Sequence, residues 1–204
     1  MKLKLITLAM LGVLSQSANA DNNEFTGLTV GANITSVNTT VKETDTFNGD
    51  IYKHGENSIL GSVQAGYTFG IGENSTLGIG VSYVIGDLKS GADPVGSDEY
   101  KGKGHYSIFI EPGYAVGDST LLYGKLGYAA MDGFDIDSGS LDEKVKARGV
   151  IVGFGMRKVI NSKFYFQFEV SQSSFGSKTE TTDPTDDPLK FKVNQASLGL
   201  GYRF

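Results

Sequence analysis

The 204-residue chain contains no cysteine and no tryptophan, four prolines and two histidines. Without cysteine it has no disulfide framework, no thiolate nucleophile and no cysteine-ligated metal or iron–sulfur site. A surplus of positive charge is also missing. The formal charge is −5 and the pI about 5.0, against the basic field that a nucleic-acid binder normally carries. Beyond Ala20 no apolar run is long enough for a transmembrane helix. What the chain does have is 28 glycines, 12 phenylalanines and 10 tyrosines, with 39% hydrophobic and 20% charged residues. That composition suits a folded β-protein rather than a disordered tail.

The first residues read as a secretory signal. Lys2 and Lys4 precede the apolar run 5–14, and Ala18-Asn19-Ala20 supplies a small-x-small cleavage site. The expected organisation is therefore a signal peptide over 1–20 and one domain over 21–204.

In that domain apolar residues alternate with glycine or small polar residues, the period of strands. One phase carries Leu28, Val30, Ala32 and Ile34, then Leu77, Ile79 and Val81, then Val150, Val152 and Phe154, and finally Leu198, Leu200, Tyr202 and Phe204. Eight such segments can be counted. The opposite phase holds Gly31, Gly66, Gly78, Gly80, Gly153, Gly155 and Gly199, interspersed with charged and amide groups. Such residues make a poor dry core for a sandwich but fit the lumen of a narrow barrel. Links near 70–74, 117–119 and 160–162 are tight, whereas those near 37–57, 87–104, 131–146 and 176–192 are long. Short periplasmic turns alternating with long outer loops mark a transmembrane barrel with both chain ends periplasmic. Phe69, Tyr114, Phe164, Tyr202 and Phe204 would form the aromatic girdle at the turn side, and Tyr83, Tyr106 and Tyr128 the one toward the loops. The predicted fold is all-β: an eight-stranded antiparallel up-and-down transmembrane barrel.

The chain then resembles the small eight-stranded outer-membrane barrels of the OmpA-like, Ail/OmpX-like and opacity-protein group. The resemblance rests on Ala65-Gly66-Tyr67, Pro112-Gly113-Tyr114, Leu126-Gly127-Tyr128 and Leu200-Gly201-Tyr202, and on the ending Leu198-Gly199-Leu200-Gly201-Tyr202-Arg203-Phe204. It implies the Gram-negative outer membrane. Leu198, Leu200, Tyr202 and Phe204 would form the signal read by the barrel assembly machinery, and roles would lie in adhesion, complement resistance or envelope stability.

Several polar residues fall on the lumen phase. Glu111 and Lys125 lie equidistant from Asp118 and are expected to pair across a symmetric hairpin, with Tyr123 adding hydrogen bonds and Pro112 a possible source of a register shift. Glu169 lacks an obvious partner; Arg157 and Arg203 are inward candidates nearer the turns, and Tyr165 joins the same interior network. These groups are expected to fill the lumen rather than transport solutes. The four long links together hold 17 acids against 10 bases, so acidic loops are expected to face outward. They could bridge through divalent cations to lipopolysaccharide phosphates or meet host or phage proteins. Asp132, Asp135, Asp137, Asp142 and Glu143 concentrate acid in the third link but break the EF-hand spacing, so no metal or cofactor is expected. His54, placed in a loop, and His105, placed at the membrane interface, lack a nucleophile motif, which argues against catalysis. The expectation is a monomeric structural or adhesive barrel. The alternatives are a small-solute porin, a lipid A-modifying enzyme and a soluble secreted β-sandwich.

Overall fold

The computed structural model describes residues 24–44, 51–92, 99–136, 144–176 and 190–204. The signal segment 1–20 therefore lies outside the described residues. Among the described residues there are ten strands: β1 (Gly27–Thr44), β2 (Ile51–Gly70), β3 (Ser75–Ile85), β4 (Leu88–Ala92), β5 (Glu99–Lys103), β6 (Tyr106–Val116), β7 (Thr120–Ile136), β8 (Lys144–Val159), β9 (Phe164–Gly176) and β10 (Lys190–Arg203). All pairings are antiparallel, β1 pairs with β10, and β7 pairs with β8 to close the sheet on itself. Closure matters because lipid offers no partner to an exposed strand edge.

The ten strands are eight staves, two of them broken. β3 and β4 form one stave interrupted at Gly86-Asp87, and β5 and β6 form another interrupted at Gly104-His105. Gly86 and Gly104 have φ of 113° and 66°, a region that costs glycine little and other residues more. Across the break the inward phase is kept: Leu88 is buried in the lumen like Val84. The ladder between β2 and β3 ends at Gly61 and Ile85, so above that level β2 and β4 are not joined by it.

Alternation holds on every stave. Leu28, Val30, Ile34, Ile79, Ile108, Leu126, Phe154 and Leu200 are exposed on the outer wall. Thr29, Thr35, Ser62, Glu111, Lys125, Gln167 and Glu169 are buried inside. Tight turns follow β2, β6 and β8, the last held by Asn161, whose side chain accepts hydrogen bonds from the backbone N–H groups of Lys163 and Phe164 at 2.9 Å each. The first long link is mostly strand, contrary to the sequence expectation: β1 runs to Thr44 and β2 starts at Ile51. His54 accordingly lies within β2, opposite Val41, and not in a loop. At 18 and 20 residues, β1 and β2 are about twice as long as the ~9–11 residues that span the hydrocarbon. The barrel thus stands well clear of the bilayer on one side.

In that projecting part the polarity of the wall inverts. Val37, Val84, Met131, Ile151, Phe175, Phe191 and Val193 form an apolar cluster inside. At the same level the outside carries a ladder of amides over four neighbouring strands. Gln172 Nε2 donates to Asn194 Oδ1 at 2.6 Å, Asn194 Nδ2 to Asn38 Oδ1 at 3.4 Å, and Asn38 Nδ2 to Asn57 Oδ1 at 2.8 Å. Where water replaces lipid, the buried face becomes the inner one, as in a soluble barrel.

Candidate functional site

The lumen is built in tiers. In the middle lies an ionic network whose members come from β6, β7, β8 and β9. Arg157 Nη2 lies 2.6 Å from Glu111 Oε2, and Lys125 Nζ lies 2.6 Å from Glu169 Oε1. Tyr123 donates its hydroxyl to Glu169 Oε2 at 3.0 Å, and Arg157 Nε donates to Gln167 Oε1 at 2.9 Å. Gln64 and Gln167 exchange reciprocal amide bonds of 2.7 and 3.1 Å across the lumen. Lys125 also stands 3.9 Å above the Phe109 ring, and the Arg157 guanidinium is 4.5 Å from the Tyr123 ring and 5.7 Å from that of Tyr165. Charges buried this way are tolerable because each has an opposite partner at hydrogen-bond distance.

The expected Glu111–Lys125 pair is present only as a 3.9 Å contact. The closest partners are exchanged: Arg157 for Glu111 and Glu169 for Lys125. Pro112 causes no register shift, since Ile110↔Leu126 and Gly113↔Tyr123 fit one frame; the ladder lapses only between them. Arg203 does not join the central network. It lies at the turn side, where it meets Glu24 Oε2 at 3.1 Å and donates to the Glu24 and Ser162 carbonyls. It thereby ties the first described residues to the β8–β9 turn. Tyr165 packs beside Arg157, its buried hydroxyl without a hydrogen-bond partner.

Above the network a hydroxyl tier follows, with Thr35 bonded to Ser62 and Ser197 at 2.9 Å each and Ser82 to Ser107 at 2.7 Å. The apolar cluster then seals the top. His105 is buried inside this seal, edge-on to Phe175 and 3.4 Å from Ser173 Oγ. This corrects its expected place at the membrane interface: His105 falls on the same inward phase as Ser107, Phe109 and Glu111. The apolar seal, Phe109 and the glutamine pair were not anticipated. The seal had a signal, since Val37, Phe175, Phe191 and Val193 are apolar residues on the polar phase of their strands.

Leu198 and Leu200 are exposed on the outer wall, and Phe164, Tyr202 and Phe204 form a chain of edge-on ring contacts at the turn side with centroids 5.2 and 4.9 Å apart. Of the acidic group, Asp132 and Asp135 belong to strand β7 rather than a loop, with Asp135 at a register position opposite both Lys144 and Lys101. Opposite charges at facing positions favour continued pairing. Asp137, Asp142 and Glu143 lie outside the described residues. Among the described residues no group of three or more histidines and carboxylates is placed to hold a metal ion.

A closed eight-stave sheet with an apolar outside and a charged inside is an outer-membrane-type transmembrane barrel. The chain belongs to the outer membrane protein β-barrel domain family, whose model matches residues 6–204, which places it in the Gram-negative outer membrane. It is similar in structure to Ail, the attachment invasion locus protein of Yersinia pestis, solved with the heparin analogue sucrose octasulfate (19% identity, 87% of this chain and 99% of that one, TM-score 0.53). Neisserial surface protein A aligns at 16% identity over 87% of this chain and 97% of its own, with TM-score 0.53. The outer membrane protein AlkL, solved in DMPC bilayers, aligns at 13% identity over 92% and 94%, with TM-score 0.57. At these identities the likeness shows the fold alone. No curated protein matches the chain.

Proposed function

We propose that this protein is a sealed, monomeric outer-membrane scaffold. Its long links face the outside, its chain ends face the periplasm, and its role is structural or adhesive rather than conductive or catalytic. The observation that carries this reading is the double closure of the lumen: the ionic tier around Arg157 and Glu169, and the apolar seal around Phe175 and Phe191. An open pore needs a continuous wet path, and both tiers interrupt one. His105 supports a non-catalytic reading because it is enclosed in the seal. Strands longer than the bilayer requires support outward display by lifting the links away from the surface. Ail, named for attachment, shares the fold, which is consistent with an adhesive role here. The acid surplus of the links suits basic host or phage surfaces, and Leu198, Leu200, Tyr202 and Phe204 suit recognition by the assembly machinery.

Planar-bilayer recording of the refolded protein tests closure; the expected trace has no stable open level, and a steady ohmic pore would refute it. Protease cleavage at the long links on intact cells tests orientation. Loop-by-loop deletion scored for cell adhesion, serum survival and phage sensitivity then tests display; full dispensability of every loop would favour an envelope-stability role.

A further inference from the structure

An imidazole sits inside the apolar seal. His105 is buried, its Nε2 stands 3.4 Å from Ser173 Oγ, and its Nδ1 has no hydrogen-bond partner. The ring lies edge-on to Phe175, with centroids 6.0 Å apart. Its backbone carbonyl accepts the N–H of Val84, a member of the seal, at 2.9 Å. Tyr83 and Tyr106, the last ladder pair of β3 and β6, belong to the loop-side girdle, so Val84 and His105 lie just beyond the hydrocarbon. There Gly86 and Gly104 break both staves, and Leu88, at the foot of β4, packs into the same cluster. One ring thus stands where two interrupted staves are fastened to the lumen.

A neutral imidazole fits such a place, whereas an imidazolium would lose its hydration without gaining a counter-ion. Burial pushes the His105 pKa down from 6.5 to about 4; a backbone hydrogen bond partly opposes this, and the Lys125 charge adds to it. Around the ring, β1, β3, β4, β8 and β10 contribute Val37, Val84, Leu88, Ile151 and Phe191. The charged groups described on neighbouring inner faces are Lys125 on β7, Glu169 on β9, Glu111 on β6 and Arg157 on β8, all paired within the ionic tier. Glu56 on β2, half-buried opposite the inward Thr39, makes no ion pair with the ring. Asp87, Lys89 and Lys103, beside the breaks, are exposed.

We infer that His105 is an acid-sensitive clasp, whose protonation releases the apolar seal and the Val84–His105 fastening while the ionic tier below stays closed. An imidazole that opens to water regains its ordinary pKa, so protons favour the opened seal. Closure is at full strength above pH 6.5 and weakens as the pH falls toward 4.

Hydrogen exchange at the Val84 amide of the full barrel in lipid nanodiscs, corrected for the intrinsic pH dependence of exchange, tests this. Between pH 7 and pH 5 its protection is expected to fall about 20-fold, as a ring titrating near 4 when closed and near 6.5 when opened requires. The Gln167 amide, in the ionic tier, should keep its protection. His105→Gln retains a hydrogen-bonding side chain without a titrating group, and its Val84 protection should be the same at both pH values. The chain has two histidines, so a His54→Gln background leaves a single imidazole, whose NMR titration should have its midpoint near 4. A midpoint near 6.5, unchanged Val84 protection in the wild type, an equal fall in His105→Gln, or an equal fall at Gln167 would each overturn the inference. Exchange is read at an amide rather than as current, so failure here and failure of the sealed-scaffold reading are separate results.

Discussion

Glu111 and Lys125 face each other across the β6–β7 hairpin, between Ile110↔Leu126 and Gly113↔Tyr123, yet their charged atoms stand 3.9 Å apart while each has another partner at 2.6 Å. Neighbouring lumen-facing side chains both project toward the axis, so their tips need not converge. Arg157 on β8 and Glu169 on β9 reach the same space from farther around the wall. In a barrel this narrow, reach across the lumen competes with adjacency in the sheet.

Double-mutant cycles should expose that difference. Glu111→Gln alone leaves Arg157 buried without its anion, a loss of about 3–5 kcal/mol by analogy with broken buried pairs. The coupling between Glu111→Gln and Arg157→Gln should exceed that between Glu111→Gln and Lys125→Gln by about 1 kcal/mol or more. Urea unfolding in detergent micelles, followed by tryptophan-free far-UV circular dichroism, measures both. Equal couplings would mean that the hairpin neighbour matters as much as the distant one.

Two lumen glycines make room for the rings that frame Arg157. A Cβ on Gly155 would meet the Tyr123 ring, and one on Gly201 the Tyr165 ring. Gly201→Ala should therefore destabilise the barrel by about 1–3 kcal/mol through overpacking. On the outer wall, Gly61→Ala meets only Ile85 at 4.0 Å and should change stability little. The contrast is measurable as a shift in urea midpoint; equal effects at the two sites would remove the packing role assigned to the lumen glycines.

The fold was legible because lipid imposes a simple code: Leu28, Val30, Ala32 and Ile34 alternate with Thr29, Gly31 and Asn33, and a one-residue slip would reverse the faces. Lumen membership of Glu111, Tyr123, Lys125, Arg157, Tyr165 and Glu169 could be read from the same phase, whereas Arg203, on that phase too, sits at the turn-side mouth with Glu24 and Ser162. Which of them touch could not, since ion-pair choice depends on curvature and side-chain reach. The seal was obscured for another reason. Above the bilayer the code inverts, so Phe191 and Val193 are inside although their phase is polar at Gly199 and Gly201. Similarly, counting the long links as one acidic surface conceals the register that places Lys42, Lys53 and Lys190 in a single row.

The terminal rings separate folding from assembly. Phe204 is largely exposed and touches Tyr202 edge-on, so Phe204→Ala removes little buried area and should shift the in vitro unfolding midpoint slightly, by less than about 1 kcal/mol. If the terminal pattern is read by the assembly machinery, the amount of folded barrel in cell envelopes should fall severalfold. Quantifying heat-modifiable protein in envelopes beside refolded protein in detergent separates the effects; parallel small changes would exclude an assembly role for this residue.

The apolar seal makes the opposite prediction about conduction and stability. Phe175 and Phe191 face each other on β9 and β10 and are both about 3% exposed. Replacing either by alanine opens a cavity at the projecting end and should cost about 3–5 kcal/mol. Bilayer recordings should nevertheless remain silent, because the ionic tier below the seal stays intact. Combining Phe191→Ala with Glu111→Gln disturbs both closures, and this double variant is the one expected to show intermittent conductance. A pore opened by Phe191→Ala alone would mean that the seal is the sole barrier and that the charged network is permeable. Silence in the double variant would place the barrier in the residual side-chain packing around Gln64 and Gln167, whose reciprocal amide bonds still bridge the lumen.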